Sequence, residues 1–258
     1  MTSTGEIRFS HGIGGPTRGS DDGAPAATLG LRIAETFVSR QGEGKLTGVE
    51  SFFVRTSGCN LRCWFCDTPY ASWKPEGPRQ TVSTIVDSVL QSGISHVVLT
   101  GGEPLLPDAC VSLCQQLRDA GLHITIETAG TIDRDVPCDL MSISPKLSAS
   151  APDAGDHPQW HQRHHDRRMP IDLMRRLIDR SDDFQVKFVI DSPAEFDECA
   201  GVVESLQVRP DDIWIMPQGV SAEAMDTAAT WLKPWCESAG YRFCDRMHLR
   251  WYGNRRGT

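Results

Sequence analysis

A chain of 258 residues with 39% hydrophobic and 23% charged side chains has the composition of an ordinary globular protein and the length of one large α/β domain. Its net charge of −8 argues against broad binding to nucleic acid or an anionic membrane, which leaves small-molecule chemistry as the expectation. No run of about 18 apolar residues, long enough to span a bilayer, appears in the sequence. The start, MTSTGEIRFSHGIGG, lacks the segments of a secretory signal, so the nine cysteines are expected in a reducing cytoplasm, without disulfides.

Residues 1–30 hold seven glycines and little apolar periodicity, an arm that cannot bury enough surface to offset the entropy of ordering. From about Leu31 short apolar runs alternate with amphipathic stretches. The runs SFFVRT (51–56), HVVLT (96–100), HITIET (123–128), LMSIS (140–144), QVKFVI (185–190) and DIWIM (212–216) predict buried strands. Between them TVSTIVDSVLQ (81–91), ACVSLCQQLRDA (109–120), AEFDECAGVVESLQ (194–207) and AEAMDTAATWLKPWC (222–236) predict helices. Such alternation implies parallel strands joined by right-handed crossovers. Six strands are too few for a closed eightfold barrel, so the expected fold is α/β: a partial, open TIM-like barrel over residues 31–258, with a further strand near 241–244. One segment breaks the rhythm. SASAPDAGDHPQWHQRHHDRR (148–168) contains four of the eight histidines and reads as a solvated polar insertion, since no carboxylate or cysteine joins them at a convincing ligand spacing.

Chemistry concentrates in GCNLRCWFCDTPYASW (58–73), where Cys59, Cys63 and Cys66 form C-x3-C-x2-C on a loop directly after a strand. Three close thiolates suit a soft metal or an iron–sulfur cluster, whereas a closed structural zinc site takes four ligands. Cys110 and Cys114 share a helix face at the spacing of buried core residues, and Cys138, Cys199, Cys236 and Cys244 are scattered. A cubane held by three thiolates leaves one iron open for a cofactor. A second motif, TGGEP (100–104), follows the next strand. Its Gly101 and Gly102 would let backbone approach a ligand closely, and Glu103 would offer charge to an ammonium. Lys187 inside one apolar strand and Glu127 ending another are buried charges, either a structural ion pair or part of a pocket.

Together the two motifs resemble the radical S-adenosylmethionine enzymes. That resemblance implies that S-adenosylmethionine chelates the open iron and, on reduction, yields a 5′-deoxyadenosyl radical. ETFVSRQGEG (35–44), CDT (66–68), ETAGT (127–131), SPK (144–146) and MPQG (216–219) narrow it to the 7-carboxy-7-deazaguanine synthase family, over about residues 33–250. In that family 6-carboxy-5,6,7,8-tetrahydropterin loses hydrogen from C6, its ring contracts, ammonia leaves and the product feeds queuosine and other deazapurines. By motif, the resemblance assigns the cluster to Cys59, Cys63 and Cys66, and Mg2+ to Thr68. It assigns S-adenosylmethionine to Phe65, Cys66, Asp67, Gly102, Glu103, Ser144, Pro145, Lys146, Met216, Pro217, Gln218 and Gly219. Substrate falls to Arg40, Gln41, Gly42, Glu43, Arg55, Thr100 and His248, with the planar fork of Arg55 suited to the substrate carboxylate. A flavodoxin or ferredoxin as electron donor and a cytoplasmic homodimer are also expected. The competing readings are a glycyl-radical activating enzyme, which shares the triad and GGEP, and a zinc-binding interaction module.

Overall fold

A long strand, β1 (Gly30–Arg40), turns back into β2 (Glu50–Thr56), and the cysteine loop then leads to a short β3 (Arg79–Thr81). From there helix and strand alternate: α1 (Val82–Ser92), β4 (His96–Gly101), α2 (Ala109–Asp119), β5 (His123–Thr128) and β6 (Leu140–Ile143). Two helices follow in succession, α3 (Pro158–Arg167) and α4 (Ile171–Arg180), before β7 (Phe184–Ile190), α5 (Phe196–Leu206), β8 (Ile213–Pro217), α6 (Ala222–Ala239), β9 (Arg242–Phe243) and α7 (Met247–Tyr252). The structure, a computed structural model, describes Met1 and residues 29–258. But for Met1, Leu29 and Gly30, the arm expected at 1–30 lies outside the described residues.

The strands make one sheet in the order β3-β1-β2-β4-β5-β6-β7-β8-β9. From β2 through β9 all neighbours are parallel, while β1 pairs antiparallel with β2 and β3. Because the order is linear, with β3 and β9 at its ends, the barrel is open as the strand count implied. The six apolar runs are all strands and the four helical patterns all helices. The oxygens of Thr81 and Ser221 cap α1 and α6 by accepting from Thr84 N and Ala224 N.

Side chains alternate across each strand, and the two faces differ in kind. One face carries Val54, Leu99, Ile126, Ile143, Val186, Phe188 and Ile215 into the core shared with the helices, where each fully buried large side chain contributes about 1.5–3 kcal/mol. The other presents Arg55, Thr100, Glu127, Ser142 and Lys187, so strands that read as apolar carry a polar inner face. The insertion differs from the solvated loop expected of it. Residues Pro158–Arg167 form α3, and His164 within it is fully buried. A single inward residue on a polar helix leaves no apolar stripe for periodicity to detect.

Candidate active site

The cysteine loop leaves the carboxyl end of β2 and is pinned by Gly58 N donating to Ala71 O at 2.8 Å and Leu61 N reaching Cys59 Sγ at 3.4 Å. Cys66 Sγ lies 3.0 Å from Ser72 Oγ. Cys59, Cys63 and Cys66, all half-buried, line one cavity beside the carboxyl ends of the parallel strands, the face on which such folds place chemistry. Burial pushes the Cys59 and Cys63 thiols up to about 12, so their ionisation calls for a cationic partner of the kind an iron cluster provides. Among the described residues no three His, Cys, Asp or Glu side chains converge as around a single metal ion, and no other cysteine lines this cavity. Three soft donors around an open space fit a cluster with one iron left for a further ligand.

Phe65, Asp67, Gly102, Ser144, Lys146, Met216 and Gln218 line the same cavity. Lys146 Nζ donates to Ser144 O and Ser144 Oγ, both at 2.7 Å, which aims a cation along the wall. Pro145, Pro217 and Gly219 do not line it; they are buried beside it, and Gly219 O accepts from Arg246 Nη1 at 2.7 Å. The GGEP motif works differently from its sequence reading. A Cβ at Gly102 would meet Gly58 O at 2.1 Å and Ala71 O at 2.6 Å, so this glycine lets two backbones meet. Glu103 is fully buried away from the cavity. Its carboxylate accepts from Thr128 Oγ1 at 2.7 Å, Ala129 N at 3.0 Å and Leu105 N at 3.1 Å. Those bonds spend Glu103 on holding the motif to the end of β5, not on an ammonium.

All seven residues expected at the substrate, Arg40, Gln41, Gly42, Glu43, Arg55, Thr100 and His248, line a second cavity. It adjoins the first, since Glu43, Asp67, Thr68, Gly101 and Glu127 border both. Gly42 is glycine because His248 packs on it: a Cβ there would lie 2.4 Å from His248 Nδ1. Arg55 has its Nε on Glu35 Oε1 at 2.7 Å, and Tyr70 donates to the same oxygen at 2.7 Å. Among the described residues its two terminal nitrogens make no hydrogen bond, which leaves the end-on fork for a ligand. Thr68, with its hydroxyl 3.8 Å from Cys66 Sγ, borders the second cavity and a third hollow where residues 254–258 fold over.

At the junction lie groups that motif reading left unresolved or missed. Glu127 accepts from Thr100 Oγ1 at 2.9 Å and Gln41 Nε2 at 3.1 Å, and Lys187 stands 3.7 Å away. Lys187 donates to Glu43 at 2.6 Å, so these two charges are both ion pair and pocket wall. Burial opposes the ionisation of Glu43, but Lys187 and Arg246 outweigh it and hold its carboxyl far below the usual range. Arg246 had no signal of its own in the sequence. It bonds Asp67 of the cysteine loop, Glu43 at 3.4 Å and Gly219 O, tying three loops together.

A family model of the Radical SAM superfamily matches residues 53–191. The chain is 59% identical over 235 residues to the 7-carboxy-7-deazaguanine synthase of Rhodopirellula baltica, covering 91% of each chain. To the 7-carboxy-7-deazaguanine synthase of Halobacterium salinarum it is 42% identical over 230 residues, covering 85% of this chain and 89% of the relative. The crystal structure of QueE from Escherichia coli shares the fold, with a TM-score of 0.62 at 22% identity over 85% of this chain and 95% of that one.

Proposed function

The chain belongs to the 7-carboxy-7-deazaguanine synthase family of radical S-adenosylmethionine enzymes, and from that premise we propose how its two adjoining cavities divide the work. The first holds a [4Fe-4S] cluster on Cys59, Cys63 and Cys66 with S-adenosylmethionine against Phe65, Asp67, Gly102, Ser144, Lys146, Met216 and Gln218. The second holds 6-carboxy-5,6,7,8-tetrahydropterin, which becomes 7-carboxy-7-deazaguanine with release of ammonia, in queuosine and deazapurine biosynthesis. The observation that carries this reading is the shared border: Glu43, Asp67, Thr68, Gly101 and Glu127 belong to both cavities, so a molecule in each would meet there.

When bound, the cluster and S-adenosylmethionine supply a carbon-centred radical able to take hydrogen from the substrate. The chain's own residues do the rest. Arg55 receives the substrate carboxylate on its terminal nitrogens while Glu35 fixes Nε. Gln41 and Thr100 orient Glu127, whose carboxylate at the junction accepts from a ring N–H or holds a proton during loss of ammonia. Lys187 and Arg246 keep Glu43 ionised beside it. Thr68 offers one hydroxyl to Mg2+, an ion that keeps waters and takes its other oxygens from substrate.

A small reductant of the flavodoxin or ferredoxin class delivers the electron, and the enzyme works as a cytoplasmic homodimer on a small molecule. No helix of the described residues is long and apolar enough to cross a membrane. The test is anaerobic: reconstituted protein with carboxytetrahydropterin, S-adenosylmethionine, Mg2+ and a chemical reductant should release 7-carboxy-7-deazaguanine and ammonia with little net consumption of S-adenosylmethionine. Cleavage of S-adenosylmethionine without that product would overturn the substrate assignment.

A further inference from the structure

His164 is fully buried in a helix whose other residues are mostly polar and exposed. Ser150 Oγ donates to Leu147 O at 2.6 Å, so it accepts from His164 Nε2–H at 2.9 Å, and the lone pair on Nδ1 takes Arg62 N–H at 3.3 Å. Burial, which pushes this imidazole down to about 4, is consistent with that neutral tautomer. The same segment grips a second amide two residues on: Trp64 N donates to Ser150 O at 3.1 Å, and Trp64 Nε1 to Ala149 O at 2.8 Å. The Arg62 guanidinium lies 4.0 Å over the Trp160 ring and donates back to Cys59 O at 2.8 Å and Leu61 O at 2.6 Å. Both amides that flank Cys63 are therefore held by residues about 100 positions away.

A loop outside any helix or strand has to place its backbone polar groups somewhere, and here the insertion receives them. We propose that His164 is a positioning residue: it holds the cysteine loop in its ligating conformation before any cluster arrives, so that assembly does not bear the entropy of ordering the loop. The proposal rests on Cys59, Cys63 and Cys66 being the cluster ligands. It also gives the 148–168 insertion a task that its polar composition does not suggest.

The test compares wild type, His164→Leu and His164→Asn. Leucine fills the space and removes both bonds; asparagine keeps an acceptor for Arg62 N–H. In cluster-free protein, hydrogen exchange at amides 62–64 should be about tenfold faster in His164→Leu, with amides of β4 and β5 unchanged. In reconstituted protein the same variant should lose iron to a chelator about tenfold faster. His164→Asn should restore both. Wild-type exchange and wild-type iron loss in His164→Leu would overturn the proposal, as would faster exchange spread evenly over the sheet. Should His164→Leu fail to fold, Ser150→Ala decides: loosening confined to 62–64 supports the clamp, and its absence overturns it. The cluster-free exchange is read without iron, so a failed clamp is distinguishable from a failed cluster; wild-type protein that takes up no iron overturns the cluster assignment and this proposal with it.

Discussion

Lys187 Nζ lies 2.6 Å from Glu43 Oε2 across 144 positions of sequence, with Lys187 buried and the Glu43 side chain 14% exposed. Removing one partner leaves the other charge with a longer contact in place of a short one, Glu43 with Arg246 at 3.4 Å or Lys187 with Glu127 at 3.7 Å. Lys187→Met is therefore expected to destabilise the fold by about 3–5 kcal/mol, and replacing both by apolar residues to cost less. Denaturant titration of the two variants checks this ordering.

The same pair sets a pH window. The Glu43 carboxyl is held below its usual 4.5 in the folded state, so its contribution is present above about pH 4.5 and lost as pH falls towards the folded value. Lys187 is raised above its usual 10.5, chiefly by Glu43 and Glu127 against the opposing effect of burial; its contribution is present below that value and lost as pH rises beyond it. The thermal midpoint of wild type should decline on the acid side, and Glu43→Gln should show a shallower acid decline. An acid limb identical in the two proteins would contradict the assignment.

Substrate affinity should fall in the order wild type, Arg55→Lys, Arg55→Ala. The lysine keeps charge but loses the fork, and the alanine variant should lose about 2–5 kcal/mol of binding. Titration of carboxytetrahydropterin into anaerobic, cofactor-loaded protein measures this, with iron content as the control. Since Glu35 remains engaged by Tyr70 and Arg256, the loss should appear in affinity more than in folding.

Alanine at Cys59, Cys63 or Cys66 should abolish iron retention, whereas Cys110→Ala and Cys114→Ala should retain it. The latter two thiols are fully buried in the core behind α2. Full iron content in any of the three loop variants would remove that cysteine from the ligand set.

Thr68→Ala should slow product formation more than deoxyadenosine formation, because an ion held on substrate orients the ring without taking part in cofactor cleavage. The two products, quantified in the same reaction, give the comparison. Equal losses would place Thr68 outside any Mg2+ site.

The six apolar runs were legible because each is buried on its helix-facing side, whatever its inner side carries. β1 was not read as a strand: GLRIAETFVSR mixes charged and small residues, and its second half is only partly buried. α3 escaped for a related reason, having one inward residue and no stripe. Motifs located most cavity residues, since loops at strand ends carry their signatures locally. What they could not show was direction. Glu103 sits in its motif and points into the core, while Arg246 and His164 act through partners 14 to 203 positions away and have no signature of their own.

The loop 41–44 and the segment 244–248 meet through Gly44 N and Cys244 Sγ at 3.1 Å, 200 positions apart, through Met247 N and Gly42 O at 2.9 Å, and through Arg246 and Glu43. On a ribosome the first of these is made early and its partners emerge only after β8 and α6 are complete. The crossover units between need only neighbours close in sequence, and bringing the two segments together bears the chain-closure entropy of nearly the whole domain. The wall that 41–44 and 244–248 build together is thus closed only after the crossover units between them have been synthesised.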